Sequence, residues 1–69
     1  MQTAVVKIGD NLKRQRIRKA LTQEELARQA GLTTASVARI ERNETEPRMS
    51  TLRKLAKALN IDPAELVGE

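Results

Sequence analysis

Residues 22–40, TQEELARQAGLTTASVARI, carry the strongest local structural signals in this 69-residue chain. Thr22 is a good helix N-cap, and Glu25, three residues later, completes a capping box. Gly31 stands where a left-handed residue can end a helix without a Cβ clash. Thr33 then offers a second hydroxyl cap. This stretch therefore predicts two short helices joined by a tight turn.

Apolar residues recur through the same stretch at helical spacing. Leu26, Ala27 and Ala30 fall on one face of the first of these helices. Val37 and Ile40 form the inward stripe of the second. Two short helices that bury one face each and meet at a glycine turn have the outline of a helix-turn-helix, whose second helix can lie in the DNA major groove.

The sequence TQEELARQAGLTTASVARIE resembles the helix-turn-helix of the Cro and phage-repressor (XRE) family. The similarity lies in the Thr-Gln pair, the Glu-Leu-Ala, the glycine turn and the apolar-x-x-Ile-Glu ending, and it extends from about Ile8 to Leu66. The resemblance implies an all-α fold, a compact five-helix, lambda-repressor-like DNA-binding domain with the helix-turn-helix in helices 2 and 3. We expect this domain to occupy residues 8–67. For the preceding N-terminal arm, residues 1–7, we favour a frayed terminus over an arm that packs on a partner subunit or reaches the DNA.

The first helix is predicted over residues 8–19, where Ile8 and Leu12 share a face. The resemblance implies an ion pair between Arg16 of this helix and Glu41, just after the recognition helix. Such a pair would tie the first helix to the third.

Two further helices are predicted in the second half of the chain, over residues 49–59 and 63–67. The first has apolar residues at i, i+3, i+4 and i+7, which we expect in the core: Met49, Leu52, Leu55, Ala56 and Leu59. Asp62 and Pro63 are the start signals of the second. By resemblance, Val67 and the chain end contribute to a dimer surface.

Ala20 and Asn43 stand where the family often has glycine. Asparagine is the next-best residue for a left-handed turn, so we expect that conformation at Asn43. Alanine is not, so we expect a different turn at the exit from the first helix.

The candidate DNA-contacting residues lie mainly on the outward face of the third predicted helix, residues 34–42. The guanidinium of Arg39 matches O6 and N7 of guanine, with a phosphate contact or a bridge to Glu46 as the alternatives. Thr34 can donate, accept or touch a thymine methyl, whereas Ala35 can make only apolar contact. The full candidate set is Gln23, Thr33, Thr34, Ala35, Ser36, Ala38, Arg39, Arg42, Thr45 and Arg48.

Several members of this set are interpreted as phosphate ligands. Gln23 lies in a helical first turn, where its side chain and the free backbone amides can meet a phosphate; a surface helix former is the alternative. Ser36 and Thr45 can donate to phosphates. The loop after the third helix also carries two glutamates, which would repel phosphates, and the flanking Arg42 and Arg48 can supply positive charge there. The resemblance implies that Arg48 approaches the minor groove.

The composition restricts the function classes. Thirteen Lys and Arg against nine Asp and Glu give a net charge of +4, which favours polyanions, although a basic soluble domain would look the same. Without His or Cys there is no ordinary general base and no imidazole or thiolate ligand, so we expect no enzyme, metal site or cofactor. Without aromatic residues, stacking on unpaired bases is disfavoured. No apolar run would span a membrane, and we expect a cytoplasmic protein.

The leading hypothesis is a transcriptional regulator that binds double-stranded DNA sequence-specifically, as a homodimer on an inverted repeat with half-sites ~34–36 Å apart. The alternative is a protein-interaction module of the same fold. It would be an antitoxin of a toxin–antitoxin pair or an adaptor, with a toxin or another regulator as its protein partner. The acidic loop is the feature that favours this alternative.

Overall fold

The computed structural model describes residues 8–68, and the regular elements in that range are all α-helices. The helices are α1 (Ile8–Arg18), α2 (Gln23–Ala30), α3 (Thr34–Glu41), α4 (Met49–Leu59) and α5 (Ala64–Val67). The predicted all-α, five-helix fold is confirmed, and the boundaries predicted for α1, α3, α4 and α5 lie within one residue of those observed. The expected N-terminal arm, residues 1–7, falls outside the described residues.

A single hydrophobic core joins all five helices. Because the chain has no aromatic residue, aliphatic side chains fill this core. Its largest fully buried members are Leu12, Leu26, Val37, Leu55, Leu59 and Leu66. α2 packs against α3 and α4, and α1 packs against α3 and α5. This packing fixes the positions of α2 and α3 in the domain.

The caps of α2 and α3 form as the sequence predicts. The Thr22 hydroxyl accepts a hydrogen bond from the Glu25 amide (3.0 Å), and the Glu25 carboxylate accepts one from the Thr22 amide (2.8 Å). These hydrogen bonds, that from the Thr22 backbone above all, lower the pKa of Glu25 from its ordinary value. Gly31 ends α2 in the left-handed conformation (φ 73°), and the Thr33 hydroxyl accepts from the Ser36 amide (3.1 Å).

The prediction that Met49 belongs to the core is wrong. Met49 is the first residue of α4, and 60% of it is exposed. Helical side chains lean towards the N-terminus of their helix, so a side chain in the first position extends past the helix end instead of onto a packed turn. The core stripe of α4 therefore begins at Leu52.

The prediction that a different turn follows α1 is also wrong. Ala20 adopts the left-handed conformation (φ 58°), and the Leu21 amide closes the turn on the Arg16 carbonyl (3.1 Å). The turn keeps its shape with alanine in place of glycine, at a steric cost of about 1–2 kcal/mol.

Candidate nucleic-acid interface

The outward face of α3 carries the side chains expected to read DNA. Val37 and Ile40 are buried and fix the rotation of the helix about its axis. Thr34, Ala35 and Arg39 are exposed on the opposite side. Partly buried between the two faces are Ser36 and Ala38. This orientation agrees with the one expected from the apolar spacing.

The two hydroxyls at the start of α3 have different roles. Thr33 is exposed, and its Oγ1 accepts the Ser36 amide (3.1 Å) and is also hydrogen-bonded to Ser36 Oγ (2.9 Å). Only Thr33 therefore caps the helix. Either hydroxyl can donate in the bond between them, so one hydrogen of the pair remains for an acceptor outside the helix.

A buried ion pair lies behind this face, as the resemblance implied. Arg16 Nε and Nη2 donate to the two carboxylate oxygens of Glu41, at 2.6 and 3.0 Å, and Arg16 Nη1 donates to the Leu21 carbonyl at 2.7 Å. The side chains are 12% exposed for Arg16 and 3% for Glu41. The hydrogen bond to Glu41 raises the pKa of Arg16 above its ordinary value. One side chain thus joins α1, the turn before α2 and the end of α3.

Gln23 belongs to this buried network as well as to the surface. Its Nε2 donates to Glu41 Oε1 at 3.0 Å, and the residue is half-buried. The sequence pattern indicated only surface roles for Gln23, and this contact was not predicted. The signal for it was the implied pair itself, because a buried carboxylate has more lone pairs than one arginine can satisfy and needs further donors.

The loop between α3 and α4 contains a second, exposed ion pair. Arg42 Nε and Nη2 donate to the Glu44 carboxylate at 2.7 and 3.1 Å. This hydrogen bonding lowers the pKa of Glu44 and raises that of Arg42. Arg42, expected as a source of positive charge, is therefore compensated by its neighbour. Thr45 and Arg48 are exposed.

Asn43 connects this loop to the start of α1. It is left-handed as expected (φ 60°), and its Oδ1 accepts the Gly9 amide (3.0 Å) while its Nδ2 donates to Asp10 (3.1 Å). A Cβ on Gly9 would clash with the carbonyl oxygen of Ile40 and lie 2.9 Å from that of Glu41. This close approach was not predicted, although a glycine inside a helical pattern can have a packing reason of this kind.

Residues 8–68 contain neither a candidate metal site nor a helix that could span a membrane. That part of the chain contains no cluster of three or more Asp, Glu, His or Cys side chains that could hold a metal ion. Its helices are all too short or too polar to cross a bilayer.

Comparison with known proteins identifies the arrangement. A family model, the HTH_3 helix-turn-helix, matches residues 12–66. An immunity repressor protein of Bacillus phage phi105 is 40% identical over 62 residues, which are 90% of this chain and 43% of that repressor. The chain thus spans less than half the length of this curated relative.

Solved structures show the same fold. The restriction-modification controller protein C.AhdI from Aeromonas hydrophila is 40% identical, with a TM-score of 0.85 over 90% of this chain and 94% of that one. The P22 c2 repressor, solved in complex with a synthetic operator, is 29% identical, with a TM-score of 0.82 over 94% of this chain and 96% of that one.

Proposed function

The chain belongs to the HTH_3 helix-turn-helix family, and on that premise we propose that it regulates transcription by binding double-stranded DNA sequence-specifically, with α3 in the major groove. One observation carries the proposal. Thr34, Ala35 and Arg39 are exposed together on the face of α3 opposite its buried stripe. A helix anchored on one face and polar on the other can enter the groove without disturbing its own core.

Phosphate contacts would fix the position of α3 on the duplex. The Gln23 and Glu24 amides in the first turn of α2 have no acceptor within the helix, whereas the Glu25 amide is bonded to the Thr22 hydroxyl, and the helix dipole favours an anion there. Gln23 and Ser36 then add side-chain donors on either side of the turn between the helices. Thr45 lies exposed in the following loop, and Arg48, directly before α4, is our candidate for the minor groove.

Base reading falls to the exposed residues of α3. Arg39 offers a bidentate fork to a guanine, and Thr34 and Ala35 suit a thymine methyl. Ala38 is small and only partly exposed, so its role is to let the helix approach the base edges closely. Arg42 contributes less than its charge suggests, because Glu44 pairs with it.

We further propose that the active species is a two-fold dimer. One copy offers few base contacts, and a good bidentate contact discriminates by only ~1–3 kcal/mol. Two copies on an inverted repeat, with half-sites ~34–36 Å apart, double the number of readers. Val67, partly exposed at the end of α5, is our candidate for the dimer contact.

Selection of bound duplexes from a random DNA pool, at near-physiological salt, tests this function. We expect enrichment of a motif with two inverted half-sites centred about one helical turn apart. A folded domain that enriches no sequence would refute the proposal.

Two substitutions then test the assigned roles. Arg39→Ala should relax the preference at one base pair, at a cost of ~1–3 kcal/mol on the preferred sequence. Gln23→Ala should weaken binding to all sequences alike, because a phosphate carries no sequence information. Titrations against the selected site and single-base variants distinguish the two, and an equal loss on every sequence for Arg39→Ala would make it a phosphate ligand.

The loop chemistry favours a second candidate, a protein-interaction module such as an antitoxin or an adaptor. Glu44 neutralises Arg42, and Glu46 adds a further carboxylate to the same exposed loop. An adaptor of this kind would bind no duplex even at low salt, and an antitoxin would co-purify with its toxin.

A further inference from the structure

A chain of hydrogen bonds leads from α1 to the α2 side chain assigned to the phosphate. Arg16 holds the Glu41 carboxylate with two hydrogen bonds, and Glu41 Oε1 accepts from Gln23 Nε2. We propose that Glu41 is a positioning residue for DNA binding: it orients the Gln23 carboxamide so that Nε2 donates to a backbone phosphate. This inference rests on the proposed function and gives a buried residue away from the reading face a part in it.

The chemistry of the three groups fixes the orientation of the amide. A carboxamide has a donor and an acceptor of nearly the same size, and a half-exposed glutamine can present either. An ionised carboxylate can only accept. The opposite amide orientation would place the Gln23 oxygen 3.0 Å from Glu41 Oε1, where two acceptors repel each other. Arg16 holds that carboxylate in a single place, so the amide has one favourable orientation.

The favoured orientation is the one that a phosphate needs. Phosphate oxygens accept hydrogen bonds and do not donate them, so glutamine can serve a phosphate only through its Nε2 hydrogens. One of these is used by Glu41, and the other is directed away from it. Gln23 is half-buried, so its second hydrogen can reach solvent beside the amides of the α2 first turn.

Fixing the side chain before binding has a thermodynamic consequence. A glutamine that is ordered only in the complex loses rotamer freedom at that moment, which weakens binding. In the present arrangement the ordering is completed during folding. The positive charge of Arg16 also offsets the carboxylate that would otherwise face the phosphate at short range.

Methylphosphonate substitution in the selected operator tests the proposal, because it removes the acceptor charge of one phosphate at a time. In the wild-type protein we expect substitution of one phosphate near the start of α2 to weaken binding about tenfold, the size of one hydrogen bond to a charged group. In Gln23→Ala the same substitution should weaken binding clearly less than in the wild type, because only the backbone amides of the α2 first turn then remain to contact that phosphate. That coupling identifies the phosphate that Gln23 contacts.

Glu41→Gln then separates positioning from structural support. The substitution keeps the shape of the side chain but lets it present either an oxygen or an NH₂ to Gln23. We expect the methylphosphonate penalty to fall to about threefold or less, since the Nε2 donor is then aimed only part of the time. The matched control is Ala58→Gly on α4, which destabilises the helix away from this network; at equal folded fraction it should keep the tenfold penalty.

The outcomes exclude one another. A full tenfold penalty in Glu41→Gln would overturn the positioning role and leave Glu41 purely structural. Specific DNA binding without any phosphate coupled to Gln23 would also overturn it, while the proposed function would stand. Absence of DNA binding by the wild-type protein would refute both.

A second measurement needs no variant, in case Glu41→Gln does not fold. In the NMR spectrum of the free protein, the Gln23 side-chain amide should exchange with water more slowly than that of Gln29, which is exposed on the same helix. Equal exchange at the two glutamines would overturn the inference.

Discussion

Glu41 and Arg42 are neighbours at the end of α3, and each forms an Arg–Glu ion pair, but on opposite sides of the backbone. Glu41 pairs inward with Arg16 at 2.6 Å, and its side chain is 3% exposed. Arg42 pairs outward with Glu44 at 2.7 Å, and these side chains are 58% and 52% exposed. The bond lengths are nearly equal, so distance alone says little about what each pair contributes. Burial decides it, because water and salt screen the outer pair only.

The two pairs also differ in what they connect. The inner pair joins α1 to α3, and through the Leu21 carbonyl and Gln23 it reaches both ends of the segment that leads into α2. The outer pair joins two residues that are already close in sequence. The inner pair therefore shapes the helix pair that we propose to face DNA, whereas the outer pair only adjusts the charge of one loop.

The largest predicted effect follows from breaking the inner pair from one side. Glu41→Ala leaves Arg16 charged and largely buried, and should lower the free energy of unfolding by ~3–5 kcal/mol in a urea titration. That is a large part of the stability of a domain of this size. Arg42→Ala is the matched control at the next position, and it should leave the urea midpoint unchanged within error. Equal losses would show that burial does not distinguish the two pairs.

A double substitution separates stability from DNA binding in the inner pair. Arg16→Met with Glu41→Leu removes both charges together, and such replacements are often neutral or stabilising. We expect it to recover most of the stability lost in Glu41→Ala, yet to bind DNA more weakly than the wild type because Gln23 loses its acceptor.

The next largest effect on stability concerns the close contact between Gly9 of α1 and the backbone at the C-terminal end of α3. Gly9→Ala puts a Cβ against the carbonyl oxygens of Ile40 and Glu41, which are backbone atoms and cannot move aside cheaply. Overpacking of this kind should cost ~1–3 kcal/mol in unfolding free energy. Lys13→Ala, on the exposed face of α1, is the control and should change stability little. An unchanged urea midpoint in Gly9→Ala would mean that α1 can shift away from α3.

The outer pair should affect DNA binding instead. Because Arg42 lowers the pKa of Glu44, mild acidification does not release Arg42, but Glu44→Gln does. If the released guanidinium meets a phosphate, the slope of log affinity against log salt should steepen by up to ~0.9. Glu46→Gln removes the same charge without releasing an ion-pair partner, so its slope should stay that of the wild type. Identical slopes in the two variants would show that Arg42 does not reach the DNA.

The fold was predictable because local and global signals agree along most of this chain. Thr22, Gly31 and Thr33 mark helix ends through bonds between near neighbours, which spacing alone reveals. The apolar stripes of the helices then determine which helix faces are buried. Met49 shows the limit, because periodicity identifies a face of a helix but not how far along it the neighbouring helices extend.

The candidate site was predictable only in part, for a related reason. The exposure of Thr34, Ala35 and Arg39 follows from the stripe beneath them. The Gln23–Glu41 contact does not, since it joins residues 18 positions apart that share no periodic pattern. The Gly9 approach to α3 is likewise set by how two helices meet. Contacts of this kind depend on tertiary geometry.

The smallest predicted effect compares two left-handed residues that replace the glycine often found in the family, Ala20 after α1 and Asn43 after α3. Ala20→Gly removes the Cβ strain and should stabilise the domain by ~0.5–1 kcal/mol, because the strain exceeds the added entropy of unfolded glycine. Asn43→Gly also suits the backbone, but it removes the acceptor of the Gly9 amide and the donor to Asp10. It should therefore destabilise the domain, as thermal denaturation of both variants can measure. If both substitutions stabilise the domain, the hydrogen bonds of the Asn43 side chain do not contribute to its stability. The C-terminal end of α3 is then held against α1 by Glu41 and by packing alone.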